Sequence, residues 1–224
     1  MTARLRLRFS RQGPAVWLAH LDMMRTFERA VRRAGIPVAY SSGFNPRPQL
    51  SFALPIGVGI ATEDDWLDVL LSEDQPAGAS AAETWMGALN EKLPEGLAVH
   101  AAEQLPAGGS SLMSLVCAAE YMLECPGLAA AVERLFLPEE GGTVSPWLVE
   151  KVSKGKKRQL DIRPLILSVQ SLSADRVLLM ASAGSRDHLR PDLFLQLLTD
   201  RAGLETLAAA DCSVTRTATR LREG

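Results

Sequence analysis

"ARLRLRFSRQGPAVWLAHLDMMRTFERAVRRAGIP", residues 3–37, is the stretch on which the fold turns. From Ala3 to Ser10 apolar and basic side chains alternate with period two. This is the pattern of a half-buried strand whose Arg4, Arg6 and Arg8 share one face. "RQGP" breaks the strand as a turn. From Trp17 to Ala34 apolar residues recur at Trp17, Leu21, Met24, Phe27, Val31 and Ala34, which is helical spacing, and Gly35 followed by Pro37 ends the helix.

Outward from there, the pattern predicts an extended piece around Val38–Tyr40, a loop rich in Pro and Gly, strands at Leu50–Leu54 and Trp66–Leu71, a helix at Ala81–Leu93 and a strand at Leu97–Glu103. "PAGGSSLMS", Pro106–Ser114, reads as a linker, with a boundary near residue 110. Beyond it the same order returns: strand Leu115–Glu124, helix Leu128–Leu137, strands Trp147–Val152, Gln159–Ser171 and Arg176–Ala181, helix Pro191–Ala202 and strand Cys212–Arg220. The expected fold class is therefore α+β, as two tandem ferredoxin-like (βαββαβ) modules, residues 1–110 and 111–224, alike in pattern and not in sequence.

With 224 residues, 47% of them hydrophobic and 22% charged, the composition is that of a globular protein and suggests neither a disordered nor a membrane class. The N-terminus lacks the apolar core of a signal peptide and no run reaches transmembrane length, so the expected location is the cytoplasm and no membrane partner is expected. Cys117, Cys125 and Cys212 match no zinc or CxxC spacing and read as reduced, buried thiols. There is no CxxxCxxC triplet for an iron–sulfur cluster, and three histidines, His20, His100 and His188, support no metal site. No metal and no cofactor are expected in this chain.

The net charge of −2 hides a strong asymmetry. Residues 1–60 hold nine Lys and Arg against two acids, residues 61–112 hold one against ten, and the remainder balances at fourteen each. Either the first module docks a polyanion or an acidic partner, or its basic and acidic parts lie against each other.

Four groups of residues carry candidate chemistry. On the predicted helix Arg25, Arg29, Arg32 and Arg33 lie opposite the apolar stripe. They form a ridge suited to a phosphate backbone, or else a solvated face partly paired with Asp22 and Glu28. His20, in the first turn, is a candidate general acid or base for phosphodiester cleavage, needing a second group such as Tyr40, Ser41 or Lys154; the alternative is a histidine that caps the helix or bonds into the core. In "AYSSGFNPRPQLSFALPIGVG", Ala39–Gly59, Gly43 permits a positive φ and Pro46 and Pro48 hold the chain extended. Asn45, Arg47 and Gln49 are then presented on a stiff backbone, with Tyr40 and Phe44 as stacking faces for bases. The competing reading is a packed crossover with Phe44 and Phe52 in the core. Lastly, "KVSKGKKRQLDIRP", Lys151–Pro164, reads as a hairpin with Lys154, Lys156, Lys157 and Arg158 at its tip, a nucleic-acid contact or a solvated turn. Asp161 and Arg163 share a strand face as a fixed pair or a common substrate contact.

The run "FSRQGPAVWLAHLDMMRTFERAVRRAGIPVAYSSGFNPRPQLSFALPIGVG", Phe9–Gly59, with the later "DIRP", Asp161–Pro164, resembles the bacterial radical-SAM-linked family, an uncharacterised-domain family. Its members occur beside, or fused to, a radical SAM protein, often near ribonuclease and ribosomal-protein genes. The resemblance implies an RNA-binding, substrate-presenting accessory role around RNA or translation. The iron–sulfur cluster and S-adenosylmethionine are then expected only on the radical SAM partner, RNA is expected as a second partner, and DNA is not expected. A looser architectural resemblance, to the tandem ferredoxin-like CRISPR repeat-processing endoribonucleases, implies a metal-independent cleavage by His20. The C-terminal "CSVTRTATRLREG" departs from that pattern in lacking a glycine-rich loop. A protein-docking module without RNA binding is the third expectation.

Overall fold

The computed structural model describes residues 3–72, 79–137, 145–153, 155–185 and 187–222. It is a mixed α+β chain with six helices among the described residues. It divides into two compact units, Met1–Cys117 with Arg216–Gly224, and Ala118–Thr215.

In the first unit the elements are β1 (Ala3–Arg11), a 3-10 turn (Gly13–Trp17), α1 (His20–Arg33), β2 (Leu50–Phe52), β3 (Ala61–Leu70), α2 (Ala79–Asn90), β4 (Leu97–Pro106) and the one-turn α3 (Leu112–Leu115). β1 is central, antiparallel to β4 on one side and to β3 on the other, and β2 pairs with the far half of β3. The alternation in β1 buries Leu5, Leu7 and Phe9 and turns Arg4, Arg6 and Arg8 to the opposite face. There Arg6, opposite Asp68 in the register, makes a bidentate pair with it at 2.8 and 2.9 Å. Arg8 pairs with Asp64 and lies over the Trp66 ring, 5.1 Å from its centre. On the buried face Phe9, Phe27 and Phe52 meet edge to face, with ring centres 5.2 to 5.7 Å apart.

α1 begins at His20, three residues later than its spacing predicts. Pro14 sits in the 3-10 turn, Leu18 is extended, and the Leu18 carbonyl accepts from the Arg11 guanidinium at 3.0 Å instead of from a helical N–H. The buried stripe is consequently Met23, Thr26, Phe27, Ala30 and Val31, and Trp17 and Leu21 lie exposed. β3 starts five residues before the predicted Trp66, because the acids of "TEDDW" have arginine partners. The predicted linker is in part β4, which runs to Pro106, and in part α3, whose first turn is capped where the Ser111 hydroxyl accepts from the Ser114 N–H.

In the second unit come β5 (Val116–Glu124), from Ala118 on, α4 (Leu128–Leu135), β6 (Leu148–Ser153), β7 (Lys156–Asp161), β8 (Ile166–Ser173), β9 (Arg176–Ser182), α5 (Pro191–Ala202), α6 (Thr206–Ala210) and the start of β10 (Ser213–Leu221). β9 lies between β5 and β8, antiparallel to both, and β6 and β7 form a hairpin of their own. The predicted single strand Gln159–Ser171 is two strands. Ile162 turns inward and Arg163–Leu165 makes a 3-10 turn, where Pro164 offers no ladder donor. α5 spans its predicted residues and ends at Gly203, whose φ is 66°. From Arg216 on, β10 belongs to the first unit and runs beside β3: the Thr219 hydroxyl and the Arg216 guanidinium both donate to Asp65.

Candidate functional site

The four arginines of the α1 ridge are all exposed, on the side opposite Phe27 and Val31. Arg25 reaches Asp22 at 3.4 Å, Arg29 donates to the Thr26 hydroxyl at 3.4 Å, and Arg33 donates to the Lys92 carbonyl at 2.7 Å. Among the described residues no carboxylate pairs with Arg29, Arg32 or Arg33, and these three line a shallow surface hollow. The arginines of β1 differ. Arg6 is tied to Asp68 and Arg8 to Asp64, with His100 also 3.2 Å from Asp64. Burial pushes the Asp64 carboxyl up, but hydrogen bonds from Arg8 and His100 prevail and hold it below its ordinary value. So the basic and acidic segments pair at β1 and β3, whereas among the described residues Arg29, Arg32 and Arg33 of α1 and Arg47 of the loop after it have no carboxylate partner.

That loop is an irregular hairpin. The Gln49 N–H donates to the Ala39 carbonyl at 2.9 Å, the Ser41 N–H to the Arg47 carbonyl at 2.9 Å, and the Arg47 N–H to the Ser41 hydroxyl at 3.1 Å, with Tyr40 opposite Pro48. The Gln49 amide adds a bond to the Tyr40 carbonyl at 3.1 Å. Pro48 stands where the pairing asks for no donor, and Gly43 takes φ 127° at the tip. The arm presents Phe44 fully exposed, with Asn45 and Arg47 exposed beside it and Tyr40 half exposed. The two phenylalanines weighed together in the crossover reading therefore part: Phe52 is in the core and Phe44 is in solvent.

His20 packs edge to face on Phe52 at 5.6 Å, and its Nδ1 is buried with no hydrogen-bond partner among the described residues. Burial first, and the Arg11 cation second, hold the imidazole below its ordinary pKa. Of the groups considered as its helper, the Ser41 hydroxyl is engaged by Arg47, Tyr40 stands on the hairpin arm, and Lys154 lies outside the described residues.

Sequence reasoning missed a buried cation pair close by. Arg11 and Arg216 are fully buried, as are Thr62 and Asp65. Arg11 donates to the carbonyls of Leu18, Gly57 and Ile60; Arg216 donates to those of Leu54 and Pro55 and to Asp65. Together they hold the carbonyls of Leu54, Pro55, Gly57 and Ile60, so "LPIGVGI" is a clamped loop, on which Val58 is exposed. Burial, then Arg216, pushes Arg11 down to about 10, which still leaves it charged at neutral pH. The period-two rule applied one step past Phe9 places Arg11 on the core face, so this half of the clamp had a signal.

In the second unit the β6–β7 hairpin carries Lys156, Lys157 and Arg158 exposed near its turn, with Lys157 paired to Glu150 at 2.9 Å. Asp161 and Arg163 do not share a strand face. The Asp161 carboxylate accepts from the N–H groups of Trp147 (2.9 Å) and Arg163 (3.1 Å). The Arg163 guanidinium stacks on the Trp147 ring at 4.7 Å and donates to the Ser145 carbonyl at 2.9 Å. "DIRP" is thus an anchor that closes the hairpin onto Trp147. Burial raises the thiols of Cys125 and Cys212, Cys212 to about 12, and the Cys212 thiol donates to the Ser213 carbonyl at 3.6 Å. Among the described residues no group of His, Cys, Asp and Glu is arranged to hold a metal, and no helix is long and apolar enough to cross a membrane.

The fold and the site define an α+β protein with an unneutralised arginine ridge and a stiff aromatic arm. The model of a family described as "Uncharacterized protein conserved in bacteria (DUF2344)" matches residues 4–191, and the chain belongs to that family. The family description names neither a radical SAM protein nor a ribonuclease. None of the curated proteins matches the chain. Among solved structures it is similar to an unknown protein from Galdieria sulphuraria, 14% identical over 97% of this chain and all of that one, with a TM-score of 0.26.

Proposed function

We propose that this chain is an RNA-binding accessory protein that presents its RNA to a radical SAM partner. The observation that carries the RNA part is the ridge: Arg29, Arg32 and Arg33 stand exposed without a carboxylate partner among the described residues, whereas Arg6 and Arg8 of β1 have theirs. Guanidinium groups in a row suit successive phosphates. Phe44, held out on a braced arm, supplies a π-face for an unstacked base. The radical SAM partner rests on the resemblance of Phe9–Gly59 alone. Within the first unit the strand order β4-β1-β3, with β2 on β3, supports a ferredoxin-like reading of that unit.

The test is fluorescence anisotropy of labelled ribosomal and small RNA fragments at low and high salt, with RNA integrity read on a gel from the same samples. Salt-sensitive binding that an Arg25/Arg29/Arg47→Ala triple variant weakens at least tenfold is the expected result. An unchanged affinity in that variant would refute the ridge, and cut RNA that disappears with His20→Ala would replace presentation by cleavage. One observation favours a second reading, docking of a protein without RNA: Trp17, Leu21 and Val58 are exposed apolar side chains in the first unit. That reading expects capture of the partner by the RNA-free chain, lost on Trp17→Ala.

A further inference from the structure

The hairpin arm that displays Phe44 also walls a hollow at its base. The hollow has a cavity volume of about 390 Å3, within the range that holds small ligands. Arg4 and Arg47 line it, with the hydroxyls of Ser41 and Ser111, the amide of Gln49 and the carboxylate of Asp68. It lies wholly within the first unit, apart from the ridge on α1.

Its polar groups have unused donors. The Arg4 side chain is largely buried, touches the Ser110 carbonyl at 3.3 Å and lies 3.6 Å from Asp68, and its Nε–H is buried with no partner among the described residues. Asp68 is already held by the bidentate grip of Arg6, so Arg4 receives only part of one negative charge. Among the described residues Arg47 has no carboxylate partner, and its backbone is braced by Ser41. The Ser41 hydroxyl accepts from Arg47 and the Ser111 hydroxyl accepts from Ser114, which leaves each hydroxyl proton to be donated. Two guanidinium groups and the hydroxyl donors of Ser41 and Ser111 line one small volume, with Ser51 also at its wall and a single acid whose charge is shared.

That donor set matches a group with several acceptor oxygens and two negative charges. We propose that the hollow binds a phosphate monoester of a nucleotide, with Arg4 and Arg47 gripping the phosphate and the two serines completing its coordination. The ester has two sources, the terminal phosphate of an RNA or a free mononucleotide. The first deepens the RNA reading and rests on it, and the second does not.

Calorimetric titration of the full chain with adenosine 5′-monophosphate, with inorganic phosphate and with adenosine tests the hollow without RNA. Competition between 5′-phosphorylated and 5′-hydroxyl forms of one RNA oligomer tests the source. The monophosphate is expected to bind and adenosine not to bind. Arg47→Ala, on the exposed arm, and Ser111→Ala are each expected to weaken the monophosphate at least tenfold and fivefold, while an Arg29/Arg32/Arg33→Ala variant leaves it within twofold. A tenfold preference for the phosphorylated oligomer assigns the RNA end, and monophosphate binding without that preference assigns the free nucleotide. RNA that fails to bind while the monophosphate binds would end the RNA reading and keep the hollow. Neither phosphate nor monophosphate binding at millimolar concentration, with no preference between oligomers, overturns the proposal. So does monophosphate binding that Arg47→Ala and Arg4→Gln, both still folded by thermal melting, leave unchanged.

Discussion

Arg11 occupies a place on β1 that the alternation reserves for an apolar side chain, and the local structure is built to accept it. Its guanidinium takes the carbonyls of Leu18, Gly57 and Ile60, which a helix or a ladder would otherwise have used. Replacing Arg11 by Ala leaves three carbonyls without a donor. The expected loss is about 3 kcal/mol or more, read as a lower urea midpoint, since each buried polar group left unpaired costs about 1–3 kcal/mol. An unchanged midpoint would show that water replaces the guanidinium. His20 sits in the field of the same cation. Its folded pKa lies below the unfolded value, so its stabilising contribution is present above about pH 6.5 and is lost as pH falls through the folded value. His20→Gln should flatten the fall in melting temperature between pH 7 and pH 5, and an identical fall in both proteins would assign it to other groups. Gly96 is a third such residue: at φ 86° a Cβ would stand 2.2 Å from the Gln12 carbonyl oxygen. Gly96→Ala should cost about 2 kcal/mol or more, measured by the same urea curves. Arg11 carried a local signal, since alternation continued past Phe9 puts it inside, although "RQGP" reads first as a turn. Asp65 and Arg216 carried none, because their pairing joins residues 151 apart and no local pattern marks it.

Among elements, those set by local rules matched their sequence signals. The Gly35 stop of α1 and the Gly203 stop of α5 need only a positive φ, which glycine supplies, and the core face of β1 needs only its period. Where an element depended on a distant partner the sequence was silent. The start of α1 is set by the bond between Arg11 and the Leu18 carbonyl, the start of β3 by arginines on β1 and β10, and the break between β7 and β8 by Asp161 and Trp147. The hairpin Ala39–Gln49 lies between these cases: its prolines announced stiffness, but its cross-strand bonds decide that Phe44 points outward and not into the core. An exposed side chain on a braced arm is separable from stability. Phe44→Ala should therefore leave the melting temperature unchanged and weaken the binding of single-stranded RNA about 5- to 150-fold, as the loss of about 1–3 kcal/mol of base stacking requires. Equal affinity in the variant would remove Phe44 from the binding surface, and a lowered melting temperature would mean that it packs.

For the molecule as a whole, a net charge of −2 is a poor guide to what it binds, because the surface is decided by which charges are paired. In the first unit β1 and β3 cancel each other's charge across a ladder, and among the described residues Arg29, Arg32 and Arg33 on α1 and Arg47 after it stand without a carboxylate. An unstructured tally of the first sixty residues overstates the available charge, since it counts Arg6, Arg8 and the buried Arg11 with the rest. The physical consequence is a small, countable number of phosphate contacts. If Arg25, Arg29 and Arg47 each neutralise one phosphate of a single strand, the triple alanine variant should show a slope of log affinity against log salt shallower by about 2, at about 0.7 per contact. The same substitutions made at Arg6 and Arg8 should leave the slope unchanged while lowering the melting temperature, because those guanidinium groups serve the sheet. A wild-type slope near zero, or a slope that falls equally for the ridge and the strand, would mean that the ridge does not face the RNA.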